Sequence, residues 1–301
     1  RIMMTKQKKK LTIESRGEKI FNAVMCVFGV LISLVALYPI FYVLIASVSK
    51  PLFVENGTVL FMPMGITLDS YKEAVTKPGI WTAYANTIFY TLFGVLVNMA
   101  FTTTMAYALS KKRLIFRKFF TLFTVFTMWF SAGMIPLYMT FRDFNLLDTR
   151  TSIILGFAIN TYNLIIMKSF FEQVPESLEE AAFMDGANNI TIFWRIYMPL
   201  SKPALATVGM FYAVNRWNSY FWAMNLINDD SKLPLQVLLK KLIVDRVANE
   251  TEAAIVTAAS TSSPTTVIYA IIIIAIIPMM IAYPFVQKFF KTGMTLGAVK
   301  G

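Results

Sequence analysis

The sequence contains no histidine, a single cysteine and no phosphate-binding loop of the GxxxxGK[ST] type. Histidine is the commonest general base and the commonest metal ligand, so we predict neither a metal site nor enzymatic activity for this chain. Cys26 has no second cysteine to pair with, which excludes an internal disulfide. Without a phosphate loop, the chain has no recognisable nucleotide site of its own.

Charged residues are also scarce. They make up 15% of the chain, against about 25% in a typical soluble domain, while 56% of the residues are hydrophobic. Several apolar runs reach the ~20 residues that a helix needs to cross a bilayer. We therefore predict an all-α membrane protein with one membrane domain. The net charge of +11 is explained by membrane topology, and we predict no nucleic-acid partner.

Six apolar runs predict six transmembrane helices. Their approximate bounds are 20–48, 86–109, 119–141, 152–170, 203–226 and 267–287. The first run is longer than the apolar part of a signal peptide and lacks a small-x-small cleavage site, so we expect it to be retained. The membrane domain is thus predicted over 20–291, between an N-terminal segment 1–19 and a C-terminal tail 292–301.

Basic residues orient the predicted helices. Lys and Arg concentrate before the first run and in the short loop KKRLIFRK after the second. Because basic loops stay inside, both termini and the loop 171–202 are predicted to be cytoplasmic. The segments 49–85 and 227–266 are then outer loops, which either contact a partner or act as a lid. Helical spacing predicts a short helix from about Leu68 and a second one that buries Leu235, Leu238, Leu239 and Leu242.

A polar stretch, EAAFMDGANNITIFWRIYMPLSKP (180–203), interrupts the apolar pattern on the cytoplasmic side. Just upstream, Ser177 and Glu180 have the spacing of a capping box, which predicts the start of a helix. Asp185-Gly186 predicts the end of that helix, because glycine adopts the left-handed conformation found after helix C-termini. The stretch therefore begins with a short helix and a sharp turn.

A second short helix is predicted after the turn. Asn188 or Asn189 can cap it and Pro199 would end it. Its apolar face consists of Ile192, Phe193, Ile196 and Met198. Such a helix pair either docks a partner protein or lies on the bilayer surface, and local physical chemistry favours neither.

The pattern E-A-A-x-x-x-G-x9-I-x-M-P in this stretch resembles the EAA loop of binding-protein-dependent ABC importer permeases. Met198 stands where that family usually has leucine, an exchange that conserves volume. In the family, the loop forms a coupling helix that docks on a separate ATPase. The resemblance implies that ATP and Mg²⁺ bind to a partner ATPase and that this chain binds no cofactor. It assigns the docking role to Glu180, Ala181, Ala182, Asp185, Gly186, Ile196 and Pro199.

Two further stretches resemble the second permease subunit of the maltose-type, carbohydrate-uptake branch. They are the tail YPFVQKFFKTGMTLGAVKG (283–301) and RWNSYFWAMNLIND (216–229). The resemblance implies import of a sugar of oligosaccharide size, by alternating access, across a bacterial-type cell membrane. The implied partners are a related second permease chain, two ATPase subunits and an extracytoplasmic solute-binding protein. The end of the tail, Gly297, Lys300 and Gly301, would contact the ATPase.

Polar and aromatic side chains cluster in the fifth apolar run. A charge at membrane depth is costly and usually faces a cavity or a partner, and aromatic faces beside amides suit a sugar. We predict a substrate path formed by Asn215, Arg216, Trp217, Asn218, Tyr220 and Trp222. The alternative is an outer aromatic belt with Arg216 extended towards water. In the other runs, we expect Asn98, Thr102, Thr103, Thr104, Asn160, Thr161 and Asn163 mainly to join helices.

Other functions compete with sugar import. A permease for a non-sugar solute would share the EAA-like loop but not the tail. A secondary transporter or channel predicts acidic residues inside the spans for ion coupling, yet none of the six runs has one well inside it. A membrane scaffold would not need polar groups at membrane depth.

Overall fold

The computed structural model describes residues 16–248 and 262–297. Every regular element within these two ranges is helical, which confirms the predicted all-α class. In chain order the helices are α1 (Arg16–Ser47), α2 (Pro51–Glu55), α3 (Asp69–Thr76), α4 (Ile80–Ser110), α5 (Arg117–Trp129), α6 (Met134–Asp143), α7 (Arg150–Leu155), α8 (Thr161–Phe171), α9 (Glu176–Met184), α10 (Asn189–Ile192), a π turn (Phe193–Tyr197), α11 (Met198–Leu200), α12 (Lys202–Asn218), α13 (Phe221–Leu226), a 3-10 turn (Asp230–Lys232), α14 (Leu235–Ala248) and α15 (Pro264–Gly297).

Three helices in the described part of the chain, α1, α4 and α15, are long and apolar enough to cross a membrane. The pair α5 and α6 would make a fourth crossing, although its two halves meet at an angle of 112°. Gly133 lies in this bend with a φ of 88°, a conformation that disfavours other residues. The expected count of six crossings therefore stays a prediction.

The fourth and fifth apolar runs each form two short helices rather than one long helix. The fourth run breaks after α7, and the side chain of Asn160 then caps α8 by accepting the N–H of Asn163 at 3.1 Å. The fifth run breaks at Ser219, whose backbone is extended. Local capping and extended backbone therefore interrupt segments that hydropathy alone presents as continuous.

Helix α4 is the central helix of the bundle. It packs against α7, α8, α12 and α14. Near its C-terminal end, Tyr107 meets the rings of Phe171, Phe193 and Tyr197 edge-on, with centroids 4.9–6.4 Å apart. Edge-to-face aromatic packing of this kind is favourable beyond the area that it buries. It fixes two helical segments, α9 and the run from α10 to α11, onto the end of α4; we name them the cytoplasmic helix pair after their predicted side of the membrane.

Helix α1 stands apart from this core. Its buried residues are Ile45, Ala46 and Ser47, all at its C-terminal end, where it packs against α15. The rest of the helix exposes large apolar side chains, a surface that is stable in lipid.

The first helix of this pair, α9, begins earlier than the capping box predicts. Pro175 occupies the N-cap position and no side chain caps the helix. Ser177 lies inside the first turn, so the predicted Ser177–Glu180 capping box is wrong. A residue before proline avoids the helical conformation, which makes Val174 and Pro175 the natural boundary. The predicted stop is confirmed, because Gly186 has a φ of 80°.

The second helix of the pair is capped by Asn188, whose side chain accepts the N–H of Thr191 at 2.8 Å. Ile192 and Phe193 are buried, as their spacing predicts. Pro199 does not end the helix. The helical run passes through the π turn and continues to Leu200. A proline cannot donate the usual helical hydrogen bond, and the wider π turn just before it accommodates this loss.

The two segments predicted to be outer loops contain the two predicted helices. Helix α3 starts at Asp69, one residue after the predicted start. Leu235 and Leu239 of α14 are buried, and Leu238 and Leu242 pack beside them. The chain before α14 is held to α4, because the Asn86 amide donates to the carbonyls of Ser231 and Leu233 at 2.7 and 3.1 Å.

Candidate functional site

A cavity of about 530 Å³ opens between α4, α8, α12 and α13. Its lining combines amides, aromatic rings and a single charged group, and contains no acidic side chain within the described residues. The lining residues are Asn98, Phe157, Ile159, Asn160, Tyr162, Asn163, Phe211, Tyr212, Asn215, Arg216, Ser219 and Trp222. This chemistry suits a polar ligand with apolar faces, as a sugar has.

Arg216 is the charged group in this cavity and is only 7% exposed. Its Nε donates to Oδ1 of Asn98 at 2.9 Å, and its terminal nitrogens donate to the backbone carbonyls that the broken fourth run releases. The carbonyl distances are 3.1 Å to Ile154 and 2.9 Å to Phe157, with a further hydrogen bond to Ile153. Arg216 thus does not extend outward to the membrane surface, so the alternative of an outward-pointing arginine is wrong.

The guanidinium of Arg216 is hydrogen-bonded by protein oxygens, but these oxygens carry no negative charge that would balance its own. Its partners are carbonyl and amide oxygens, and no carboxylate in the described part of the chain pairs with it. A guanidinium remains protonated in proteins. Because charges interact more strongly at low dielectric, we expect the cavity beside Arg216 to favour an anionic group.

Asn98 joins three elements around this cavity. Its amide donates to the carbonyls of Phe157 and Ala158 at 2.7 and 2.9 Å, while its Oδ1 receives Arg216. One turn earlier on α4, a Cβ added to Gly94 would lie 2.8 Å from Nε of Arg216, so a glycine is needed for this close approach. The expectation that Asn98 joins helices is confirmed.

Replacing Asn98 by leucine is expected to destabilise the protein by about 1–3 kcal/mol. The change removes the Asn98 partner from the Ala158 carbonyl and from the Nε–H of Arg216, while the Phe157 carbonyl keeps its hydrogen bond from Arg216. Thermal unfolding in detergent, followed by tryptophan fluorescence, measures the effect. Asn218→Leu is the matched control, since within residues 16–248 and 262–297 the Asn218 amide bonds only to Val214 of its own helix. An equal loss of thermal stability in both variants would contradict the role of the Asn98 hydrogen bonds in joining the helices.

The six predicted substrate-path residues divide into three groups. Asn215, Arg216 and Trp222 line the cavity. Trp217 is buried elsewhere, with its indole N–H donating to the carbonyl of Ala275 at 3.1 Å. Asn218 and Tyr220 line a separate groove with residues of α14 and α15.

Several cavity residues were not among the predicted substrate path. Asn160 and Asn163 were weaker candidates, expected mainly to join helices, and Tyr212 was missed. The hydroxyl of Tyr212 is hydrogen-bonded to Thr102 at 2.6 Å and accepts the N–H of Asn160 at 3.1 Å. Tyr212 precedes Arg216 by one helical turn, and this i, i+4 spacing was the signal that could have identified it.

The predicted docking residues are mostly on the surface of the cytoplasmic helix pair. Ala182 and Ile196 are half-buried, and the other five are exposed: Glu180, Ala181, Asp185, Gly186 and Pro199. Glu180 makes no cap, so its side chain is available on the surface. A Cβ added to Gly186 would meet nothing within 4 Å.

The adjacent residue, Glu179, faces inward. Its Oε2 accepts hydrogen bonds from Nζ of Lys111 at 2.5 Å and from the hydroxyl of Tyr197 at 2.7 Å. Burial alone would raise the pKa of Glu179, but the hydrogen bonds from Lys111 and Tyr197 and the charges of Lys111 and Arg113 outweigh it, so the net pKa is lowered. Glu179 is therefore ionised at neutral pH.

The tail prediction falls mainly outside the described residues. Gly297 is the last residue of α15. Lys300 and Gly301 lie beyond residue 297, outside the described part of the chain.

Comparison with known proteins identifies the family. Residues 78–295 match the family of binding-protein-dependent transport system inner membrane components. This chain belongs to that family. The predicted family is thereby confirmed, and the protein is a multi-pass membrane component of a transport system.

Relatives of this permease cover nearly its whole length. It is 37% identical over 283 residues to the polygalacturonan/rhamnogalacturonan transport system permease protein YtcP of Bacillus subtilis (strain 168), covering 94% of this chain and 99% of YtcP. It is 38% identical over 287 residues to Protein LplC of the same organism, covering 95% and 97%. A chain in the crystal structure of a bacterial ABC transporter involved in the import of the acidic polysaccharide alginate is 47% identical, with a TM-score of 0.85 over 92% of this chain and 99% of that one.

Proposed function

We propose that this permease is one subunit of an ABC importer that moves an oligosaccharide into the cytoplasm by alternating access. It would cross the membrane six times with both termini in the cytoplasm. It would pair with a related permease chain, two ATPase subunits and an extracytoplasmic solute-binding protein. Nearly full-length similarity to polysaccharide-transport permeases supports the substrate class.

The cytoplasmic helix pair is the proposed docking site for the ATPase. Glu180, Ala181 and Gly186 present an exposed surface with small side chains, which lets a partner approach the backbone closely. Beneath this surface, the aromatic cluster around Tyr107 and Tyr197 fixes the pair to α4. A displacement of the docked helices would thus move the bundle rather than only the loop. ATP and Mg²⁺ would bind to the ATPase, and this chain would perform no covalent chemistry.

The cavity beside Arg216 is the single observation that carries the substrate proposal. Its amides can bond sugar hydroxyls and its rings can cover sugar C–H faces. The uncompensated charge of Arg216 adds a preference for carboxylates. The imported compound would therefore be an acidic oligosaccharide, in agreement with the acidic polysaccharide named for the alginate importer.

Reconstitution tests this function. The chain is co-expressed with its genomic neighbours, purified, and placed in proteoliposomes with the binding protein. We expect an ATPase to co-purify and labelled acidic oligosaccharide to accumulate only when ATP and the binding protein are present. Uptake driven by an ion gradient, without any ATPase, would contradict the proposal and favour a secondary transporter.

A further inference from the structure

A buried ion pair joins the cytoplasmic helix pair to the end of α4. Lys111 follows the last residue of α4, and Glu179 lies on α9. Their charged atoms are 2.5 Å apart, and their side chains are only 9% and 12% exposed. A buried ion pair is stable only when its remaining donors and acceptors are also satisfied. The neighbouring side chains therefore determine whether this pair holds the two helices together.

Neighbouring side chains contact both members of this ion pair. Nζ of Lys111 lies 4.0 Å from the ring centroid of Tyr107 and 3.7 Å from that of Tyr197, within the range of cation–π contacts. The second oxygen of Glu179 lies 3.2 Å from a guanidinium nitrogen of Arg113. The pair therefore joins three segments: the end of α4, the helix α9 and the π turn.

Helix α4 connects this ion pair to the cavity. Lys111 lies about 20 Å from Asn98 along the helix axis, at about 1.5 Å per residue. There, Oδ1 of Asn98 accepts a hydrogen bond from Nε of Arg216 at 2.9 Å, and Gly94 packs against the same guanidinium. The helix is continuous from Ile80 to Ser110, so a shift at its cytoplasmic end reaches the cavity wall.

We propose that the Glu179–Lys111 ion pair transmits displacement of the cytoplasmic helix pair to α4, and through α4 to the cavity lining. Glu179, Lys111 and Tyr197 are positioning residues in this proposal. Covalent connection already links the helix pair to α8 and α12. The ion pair, together with the ring contacts of Tyr107, links it to α4, which is distant in sequence. The proposal rests on the proposed function, whose failure would appear as absent ATP-dependent uptake by the unaltered chain.

The same two segments supply a matched control. Lys112 and Glu176 form a second ion pair, 2.9 Å apart, but their side chains are 74% and 58% exposed. Exposed pairs contribute little. Glu176→Gln therefore removes one carboxylate from the same helix without disturbing a buried contact.

The test compares Glu179→Gln and Glu176→Gln in the assembled transporter. The number of substrate molecules taken up per ATP hydrolysed is measured together with the amount of ATPase that co-purifies. We expect Glu179→Gln to retain the ATPase but to lose at least about tenfold in uptake per ATP, a factor that corresponds to about 1.4 kcal/mol of coupling. The Glu176→Gln variant should match the unaltered chain. An unchanged ratio in Glu179→Gln would overturn the proposal.

Two further variants distinguish coupling from folding. Exchanging the charges, Lys111→Glu with Glu179→Lys, should restore part of the lost uptake per ATP. If Glu179→Gln does not accumulate, the apolar pair Lys111→Met with Glu179→Leu takes its place, because similar-sized apolar residues can replace a buried ion pair without loss of stability. Normal uptake per ATP in that apolar variant would overturn the proposal, and reduced uptake with bound ATPase would support it.

Discussion

Replacing Arg216 by glutamine is expected to lower the uptake of an acidic oligosaccharide roughly thirtyfold while ATPase binding is retained. For a carboxylate about 8 Å from the guanidinium, at an effective dielectric constant of about 20, the Coulomb energy is about 2 kcal/mol. The amide nitrogen of glutamine occupies the place of the arginine Nε, so it can still donate to Oδ1 of Asn98, but glutamine lacks the charge and the terminal nitrogens that reach the carbonyls. The measurement is ATP-dependent uptake of acidic and neutral oligosaccharides of equal length in proteoliposomes.

Arg216→Lys is the control for the charge. Lysine keeps the positive charge but cannot reach the carbonyls of Ile154 and Phe157 and the side chain of Asn98 at once, because it lacks the planar fork of arginine. It should therefore keep the preference for acidic substrate while lowering thermal stability. If both variants lose acidic and neutral uptake equally, Arg216 serves only to join helices, and the acidic-substrate proposal fails.

For Arg216, the sequence predicts the kind of environment but not the hydrogen-bond partners. Charge at membrane depth predicted that Arg216 faces a cavity or a partner, and the structure shows that it does. Its partners could not be predicted. The carbonyls of Ile153, Ile154 and Phe157 are available because the chain breaks between α7 and α8, inside a run that hydropathy presents as one helix.

The same limit explains the errors in the cytoplasmic helix pair. The Ser177–Glu180 spacing is a local rule for starting a helix, and it placed the start too late because Pro175 sets the boundary. No local rule distinguishes Glu179 from Glu180. Glu179 turns inward because Lys111 and Tyr197 lie there, and these residues are distant in sequence or across the turn.

The turn glycine was predictable for the opposite reason. An Asp-Gly pair after a short helix specifies a left-handed residue locally, and Gly186 has that conformation. The left-handed conformation of Gly186 does not by itself explain why no other part of the described chain packs against this residue. Since a Cβ at this position would contact nothing within 4 Å, the space around Gly186 is open in this chain and can be filled by another.

Gly186→Trp is therefore expected to reduce ATPase co-purification at least about tenfold, equivalent to about 1.4 kcal/mol or more of docking energy, and to abolish uptake. The indole would occupy the space that the docked ATPase needs. Co-purification from membranes, followed by ATP-dependent uptake, measures both effects. The chain itself should fold, because the strain of a side chain in the left-handed region is only about 1–2 kcal/mol.

Two controls separate this strain from the bulk of the indole. Gly57→Trp places the same side chain on a glycine with a φ of 67° and equally open surroundings, but in a segment predicted to be extracellular, so it should retain the ATPase. Gly186→Asn keeps a residue that tolerates the left-handed conformation and adds little volume, so it should bind the ATPase better than Gly186→Trp. Full ATPase binding and transport by Gly186→Trp would mean that the ATPase docks elsewhere. An ATPase docked on this turn would cover Gly186 and leave no space for an indole.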